Sequence, residues 1–269
     1  MAAPYPQVIL FGDSLFQQAV RPDGFSFQAA LETHCLRRLD VVNRGLSGYN
    51  TSNALQALPR IFPSPAPAGS KIEYLLVLFG ANDASLPLPT NRQHVPLDRF
   101  KINLTRIITH PNIAAHKPKI VLITPPPLDE IHIASKDVAD GHGQATREAK
   151  ISAEYSEAVR QVAAANPDVI LVDLWKALME TAVAKTPGFD ASSGAVLGDP
   201  GSGVRGHLEH LLPDGLHMSS EAYRVFYDLV EPLVGAEWAG TPQEDRVAYV
   251  LPDHRVAPWL SEDEYWRRT

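Results

Sequence analysis

The sequence predicts an α/β protein, a three-layer α/β/α sandwich built on a parallel sheet of about five strands. Short apolar runs rich in β-branched residues alternate along the chain with longer segments of helical period. Strand–helix alternation of this kind is typical of a parallel sheet with helices on both faces. The 269 residues are enough for one such domain and do not require a second.

Five apolar runs are the predicted strands. The third run is apolar at every position, as expected for a strand that is buried on both faces. The predicted strands cover residues 8–11, 40–43, 74–79, 120–123 and 169–172. We expect them in the flavodoxin-like order 2-1-3-4-5, one of the common orders of open sheets with helices on both faces.

Apolar side chains recur at helical spacing between the predicted strands. The last stripe follows the i, i+3, i+4, i+7, i+8 pattern closely, with Ser219 as its expected N-cap. Its members are Ala222, Val225, Phe226, Leu229 and Val230. Further helices are predicted to begin near residues 27, 54, 97 and 144, and the fourth of these runs to about 165. Residues 128–143 and 187–212 are expected to be long irregular loops, which are often functional.

Composition and charge exclude several classes of protein. A net charge of -7, a pI near 5.8 and no basic stripe argue against a nucleic-acid binder. The apolar runs are too short to span a membrane. The N-terminus has no signal-peptide pattern and Cys35 is the only cysteine. We therefore expect a cytoplasmic protein without disulfides.

The C-terminal part of the chain is predicted to be an extension. We expect the main domain to cover residues 1–235 and the extension residues 236–269. The extension is polar, but it contains Trp238, Trp259 and Trp266. Because large aromatic side chains are seldom left in water, we expect it to pack on the domain or on a partner, which makes it a candidate homodimer contact.

Three short segments that directly follow predicted strands carry candidate chemistry. The carboxyl ends of parallel strands are where ligands bind in open sheets. Ser14 follows the first strand, where the start of a helix would favour a developing negative charge. Gly48 follows the second strand and offers a backbone N–H that no Cβ shields. Asn82 follows the third strand and can present a side-chain amide donor.

A fourth segment, Asp214-Gly-Leu-His217, precedes the last predicted helix. A carboxylate three residues before a histidine can hold one ring nitrogen, which leaves the other nitrogen to act as a base. Taken singly, each of the four segments is explained at least as well by a turn, an N-cap or a loop glycine. Together they supply a nucleophile, a base, an orienting carboxylate and oxyanion donors.

The order Ser…Gly…Asn…Asp-x-x-His resembles the SGNH (GDSL) hydrolases, from about residue 8 to about residue 230. The strings Arg-Gly-Leu-Ser-Gly-Tyr, Phe-Gly-Ala-Asn-Asp-Ala and Asp-Gly-Leu-His are similar to those of isoamyl acetate-hydrolysing esterases. The resemblance implies a serine esterase for small acetate-type esters with Ser14 as nucleophile, His217 as base and Asp214 as its partner. It implies an oxyanion hole made of the Ser14 N–H, the Gly48 N–H and the Asn82 side chain.

Two other functions stay open from the sequence. A deacylase of carbohydrate or of longer acyl substrates would use the same triad. A non-catalytic flavodoxin-like binding module would be expected to lack one or more of the four segments' candidate residues, whereas all of them are present. The G-x-G-x-x-G string at residues 201–206 follows no predicted strand, so a dinucleotide site is not expected. We expect no cofactor and no metal, and a small-molecule ester as the substrate.

Overall fold

Five parallel strands form one sheet in the computed structural model, which describes residues 5–21, 23–62, 64–66, 69–238 and 249–251. The strands are β1 (Gln7–Gly12), β2 (Asp40–Gly45), β3 (Ile72–Leu78), β4 (Lys119–Ile123) and β5 (Val169–Val172). Their order across the sheet is β2-β1-β3-β4-β5, and every neighbouring pair is parallel. The predicted strand order is confirmed.

Helices connect consecutive strands and follow the last one. In chain order they are α1 (Ser14–Gln17), α2 (Phe27–His34), α3 (Thr51–Ile61), α4 (Leu97–Ile108), α5 (Pro111–Ala114), α6 (Glu130–Ala139), α7 (Ala149–Ala164), α8 (Leu174–Ala184), α9 (Leu208–Leu211) and α10 (Ser220–Val230). The expected cap of the last helix is present, because the Ser219 side chain accepts a hydrogen bond from the Ala222 N–H.

The core lies in two layers, one on each face of the sheet. Along β1, Val8 and Leu10 pack with buried side chains of α2, α8 and α10. Ile9 and Phe11 point the other way and pack with buried side chains of α3, α4 and α7. Successive side chains of a strand point to opposite faces, so an all-apolar strand feeds both layers. The predicted three-layer sandwich is confirmed.

The predicted loop at residues 128–143 is wrong, because α6 occupies most of it. The Asp129 side chain caps this helix by accepting from the His132 N–H. Ile133 is its one fully buried residue, so the helix carries no apolar stripe that periodicity could detect. The helix expected from residue 144 begins later, at Ala149.

The other predicted loop, at residues 187–212, is mainly irregular. Its exceptions are a short 3₁₀ turn at Ala191–Ser193 and the one-turn helix α9. Within the predicted extension, Trp238 is buried and joins the core cluster on the α2 side of the sheet. Trp259 and Trp266 lie outside the described residues, so the extension over 236–269 stays a prediction. No helix in the described part of the chain is long and apolar enough to cross a membrane.

Candidate active site

The carboxyl ends of three neighbouring strands bring three of the predicted segments to one edge of the sheet. Gly12, at the end of β1, pairs with Gly45 of β2 on one side and with Leu78 of β3 on the other. The Leu46 N–H donates to the Gly12 carbonyl at 2.9 Å, so the loop after β2 stays close to the loop after β1. This edge of the sheet is the position that the sequence predicted for the site.

Ser14 is the first residue of α1 and lies in a sharp turn directly after β1. The turn is stabilised by Asp13, whose carboxylate accepts from the Leu15 N–H at 2.9 Å. A Cβ on Gly12 would lie 2.4 Å from the Leu78 carbonyl oxygen, so only glycine fits beneath the serine. Ser14 is 5% exposed, and its hydroxyl is held at the surface of the sheet edge rather than in open solvent.

His217 connects Ser14 to Asp214. The distance from His217 Nε2 to Ser14 Oγ is 2.9 Å, and the distance from His217 Nδ1 to Asp214 Oδ2 is 2.7 Å. Both distances are within hydrogen-bond range for a nucleophile, a base and an orienting carboxylate. The chain brings His217 to Ser14 across a separation of 203 residues in the sequence.

Asp214 is held in its charged form. Burial by itself would raise its pKa, but hydrogen bonds from the His217 ring and from the backbone N–H groups of His217 and Leu216 outweigh that effect. The pKa of Asp214 therefore lies well below its usual range. The Asp214 Oδ1 atom accepts from the N–H of His217 at 2.7 Å and of Leu216 at 3.0 Å, while Oδ2 is left for the ring.

The turn that carries Asp214 and His217 packs directly on the start of α6. Gly215 has a φ of +85°, and its carbonyl accepts from the Asp129 N–H at 3.0 Å. A Cβ at Gly215 would lie 2.7 Å from Ile133 Cγ1 and 2.9 Å from the Asp129 carbonyl oxygen. The segment that the sequence predicted as an irregular loop thus supports the turn that carries Asp214 and His217.

We expect Gly215→Ala to lower both stability and kcat. The left-handed backbone alone costs about 1–2 kcal/mol for a residue with a Cβ. The contact with Ile133 and Asp129 adds to that cost and displaces His217. Gly194→Ala is the matched control, because Gly194 has a φ of +83° and open space around its Cβ position. Urea unfolding and ester hydrolysis should show a larger loss for Gly215→Ala, and equal losses would contradict this packing argument.

Gly48 lies in the loop between β2 and α3. Its φ is +79°, and within the described residues its N–H makes no hydrogen bond. Its carbonyl accepts from Gln93 Nε2 at 3.1 Å. Gly45, by contrast, has its N–H bonded to Asn43 Oδ1 at 2.8 Å, and its Cβ position would lie 2.1 Å from the Gln17 nitrogen. Gly45 therefore permits close packing of β2 on α1, whereas Gly48 has an N–H to offer.

Asn82 lies in the turn after β3 and is 4% exposed. Its Nδ2 donates to the Tyr49 carbonyl at 2.9 Å, so the turn after β3 is tied to the loop that contains Gly48. An asparagine amide has two N–H donors, so Asn82 has a second donor besides the one used for Tyr49. Its Oδ1 accepts from Arg147 Nη2 at 3.2 Å.

Sequence reasoning missed three residues around this edge, namely Asp83, Gln93 and Arg147. Asp83 Oδ1 accepts from the Thr51 N–H at 2.9 Å, which joins the turn after β3 to the start of α3. Burial raises the pKa of Asp83 to about 6. A carboxylate beside Asn82 was a usable signal for Asp83. No spacing pattern points to Arg147, which is 65 residues from Asn82.

Asp13 is a second buried carboxylate and lies next to Ser14. Burial, helped by the charge of Asp83 and opposed by the hydrogen bond from Leu15, raises the pKa of Asp13 to about 7. The Asp13 Oδ2 atom has no hydrogen-bond partner among the described residues. The turn therefore keeps one carboxyl oxygen out of water without compensation, which disfavours the charged form.

We expect the protein to be more stable at mildly acidic pH than at alkaline pH. The ordinary pKa of an aspartate is 3.8. Between about pH 4 and pH 7 the folded state therefore keeps a proton on Asp13 that the unfolded chain has already lost. This contribution is fully present below about pH 4 and is lost as the pH rises through 7. It amounts to at most about 4 kcal/mol.

Asp13→Asn tests this expectation. The amide oxygen can still accept from Leu15, but the side chain no longer titrates. Urea unfolding at about pH 5 and about pH 8 should show a smaller difference than in the wild type. Part of the difference should persist, because the pKa of Asp83 is raised in the same direction. An unchanged pH dependence would show that Asp13 is ionised in the folded protein.

Comparison with known proteins places the site in a family. Residues 10–225 match the family of GDSL-like lipases and acylhydrolases. The chain belongs to the GDSL-like lipase/acylhydrolase family. The GDSL hydrolase match spans the four predicted segments, and as a member of this family the chain is a carboxylic ester hydrolase.

Curated relatives of this GDSL hydrolase are esterases by name. An isoamyl acetate-hydrolyzing esterase 1 homolog of Bos taurus is 31% identical over 239 residues, covering 88% of this chain and 85% of the relative. A GDSL esterase/lipase of Arabidopsis thaliana is 32% identical over 256 residues, covering 93% and 92%. Among solved structures, an acetyl xylan esterase superposes with a TM-score of 0.58 at 19% identity, covering 85% of this chain and 99% of that chain.

Of the described residues, no group of three or more His, Cys, Asp or Glu side chains is arranged to hold a metal ion. His207 and His210 lie near each other, with ring centroids 5.1 Å apart. His207 Nε2 is 3.0 Å from Glu221 Oε1, so its ring already has a carboxylate partner.

Proposed function

We propose that the chain is a serine esterase that hydrolyses small carboxylic esters through Ser14, His217 and Asp214. The observation that carries the proposal is the His217 ring, which lies 2.9 Å from Ser14 Oγ on one side and 2.7 Å from Asp214 Oδ2 on the other. One ring nitrogen is thus oriented by a carboxylate whose pKa is lowered, and the other faces a hydroxyl at the start of a helix.

The reaction proceeds in two acyl-transfer steps. His217 Nε2 takes the proton of the Ser14 hydroxyl as Ser14 Oγ attacks the ester carbonyl carbon. The tetrahedral intermediate collapses, and the alcohol leaves with the proton from His217. Water then attacks the acyl-Ser14 ester with His217 again as the base, which releases the carboxylic acid and restores the serine. Asp214 stabilises the imidazolium in both steps.

The oxyanion is stabilised by donors from three loops. These are the Ser14 N–H, the Gly48 N–H and the second N–H of the Asn82 amide. Support comes from the Gly48 N–H, which has no partner among the described residues, and from the bond between Asn82 and Tyr49 that joins the two loops. Fixed donors of this kind are worth about 10²–10³-fold in kcat each.

The substrate class is proposed from the relatives. The curated relatives at about 30% identity include isoamyl acetate-hydrolyzing esterase homologs, which points to an acetyl group and a small apolar alcohol. Several structural neighbours are acetylxylan esterases, but their low identity supports the shared fold only. We therefore place small acetate esters first. A deacylase of carbohydrate remains the second candidate, and a cytoplasmic location and a homodimer through the extension remain predictions of the sequence.

The test combines an ester series with active-site labelling of the wild type. Hydrolysis of p-nitrophenyl acetate, butyrate and octanoate shows the acyl-length limit. A comparison of isoamyl acetate with acetylated xylo-oligosaccharides shows whether a small apolar alcohol or a carbohydrate is the preferred leaving group. A fluorophosphonate probe followed by peptide mapping identifies the nucleophile. We expect the highest rates on acetate or butyrate and a single label on Ser14.

Other results would change the conclusion in defined ways. A label on a different serine would refute the triad. Faster release of acetate from xylo-oligosaccharides than from isoamyl acetate would favour the carbohydrate deacylase. A folded wild type that hydrolyses no ester and takes no label would favour the binding module.

A further inference from the structure

We infer that Arg147 is a positioning residue that orients both the Asn82 amide and the Gly48 loop of the oxyanion hole. This inference rests on the proposed function and adds a residue that the four sequence segments do not contain. Arg147 lies between α6 and α7, on the far side of Asn82 from its contact with Tyr49. It touches no catalytic atom itself and acts through other side chains.

The guanidinium of Arg147 donates to four oxygen atoms. Nε donates to the Ala81 carbonyl at 3.0 Å, and Nη1 donates to Thr146 Oγ1 at 3.3 Å. Nη2 donates to Asn82 Oδ1 at 3.2 Å and to Gln93 Oε1 at 3.0 Å. None of the four acceptors carries a charge, and among the described residues Arg147 forms no salt bridge. The rigid, planar set of guanidinium donors is thus used to hold neutral groups in place.

The bond to Asn82 determines which way the amide faces. A guanidinium can only donate, so the oxygen end of the Asn82 amide has to face Arg147. The nitrogen end then points away, where it donates to the Tyr49 carbonyl and keeps one N–H for the substrate oxygen. The bond from Arg147 Nε to the Ala81 carbonyl also holds the backbone just before Asn82.

The same reasoning applies to Gln93. Its Oε1 has to face Arg147, so its Nε2 is the end that reaches the Gly48 carbonyl at 3.1 Å. Gly48 has no Cβ and a φ of +79°, so its own backbone does little to resist rotation of this loop. Gln93 supplies that restraint, and Arg147 orients Gln93. One cation therefore orients donors that come from two different loops.

The charge around Arg147 also fits this role. The carboxylates that act on it at longer range are those of Asp13, Asp137 and Asp214, from three different segments. The Arg147 side chain is partly buried, and this burial lowers its pKa without neutralising the guanidinium. Burying a cation among neutral partners costs free energy, so its hydrogen bonds have to offset that cost.

The first experiment compares Arg147→Lys and Arg147→Gln with the wild type on p-nitrophenyl acetate. Lysine keeps the charge but is a point donor that cannot hold Ala81, Asn82 and Gln93 together. We expect kcat to fall by about 10²-fold in both variants with KM little changed, because misplacement of a donor by about 1 Å costs that much. Wild-type kcat in folded Arg147→Lys would overturn the positioning role.

The matched control is Arg160→Gln. Arg160 also uses its guanidinium for side-chain hydrogen bonds, with Nε and Nη2 donating to Asp173 at 2.8 and 3.0 Å. Its loss should lower stability but leave kcat unchanged. A fall in kcat equal to that of Arg147→Gln would indicate a general loss of structure and would overturn the inference.

A double-mutant cycle separates positioning from stability. If Arg147 acts largely through Asn82, Arg147→Lys should lower kcat by a much smaller factor in an Asn82→Ala background than in the wild type. Fully additive losses would overturn the inference. Fluorophosphonate labelling of Ser14 is run on the same samples. An unlabelled Ser14 in the wild type refutes the proposed function and this inference with it, whereas a labelled Ser14 with unchanged Arg147→Lys kinetics refutes the inference alone.

Discussion

Ser14→Ala should abolish turnover of every ester that the wild type hydrolyses, with kcat lower by about 10⁶-fold. The alanine removes Oγ, which is the proposed attacking atom and lies 2.9 Å from His217 Nε2. No acyl-enzyme can form, and the remaining rate is that of water assisted by the oxyanion donors. The measurement is single-turnover and steady-state hydrolysis of p-nitrophenyl acetate.

The control for this variant is Ser47→Ala. Ser47 precedes Gly48 at the same edge of the sheet, but its side chain is exposed. We expect it to keep wild-type kcat and fluorophosphonate labelling, while Ser14→Ala loses both. Ser14→Ala with intact activity would show that another nucleophile carries the reaction. Thermal unfolding should change little in either variant, because no core side chain is removed.

Asp214→Asn should lower kcat by about 10⁴-fold while leaving the fold intact. The amide oxygen can still accept from the backbone N–H groups of Leu216 and His217, which Asp214 Oδ1 now does at 3.0 and 2.7 Å. The amide nitrogen takes the place of Oδ2 and can only donate. It therefore forces His217 Nδ1 to accept and moves the ring proton to Nε2, where the base is needed.

Asp190→Asn is the matched control for that variant. Asp190 also accepts from a backbone N–H two residues on, that of Ser192 at 2.9 Å, but it lies in an exposed turn away from His217. We expect it to keep wild-type kcat across the pH range. Near-normal activity in Asp214→Asn would mean that a different group orients the imidazole, and the assignment of Asp214 would then be wrong.

Most of the fold was predictable because its signals are local. The all-apolar run of β3 and the helical stripes between the strands reflect burial on both faces of a sheet. Each of these patterns can be recognised from the residues of one segment alone. The predicted order 2-1-3-4-5 is also confirmed, but it was expected as a common arrangement of open sheets and not from a local signal. The helix α6 was missed because its main support is a single cap at Asp129 and a single buried Ile133.

The candidate site was predictable where a residue follows a strand. Ser14, Gly48 and Asn82 each come shortly after a predicted strand, and the expected parallel sheet brings the carboxyl ends of these strands to one edge. Asp214 and His217 share a turn, and their mutual bond follows from a spacing of three residues. Their contact with Ser14 was only implied by the family resemblance, since nothing local to either segment encodes it.

Local composition and periodicity were enough to predict the α/β class, the approximate positions of the strands and the residue types of the site. Only the tertiary structure decided which groups hold the site together. Arg147 and Gln93 reach it from loops distant in the chain, Asp83 joins the turn after β3 to the start of α3, and Gly215 packs on α6. Hydrogen bonds between distant segments produce no periodic pattern in the sequence, so they can be identified only from the folded structure.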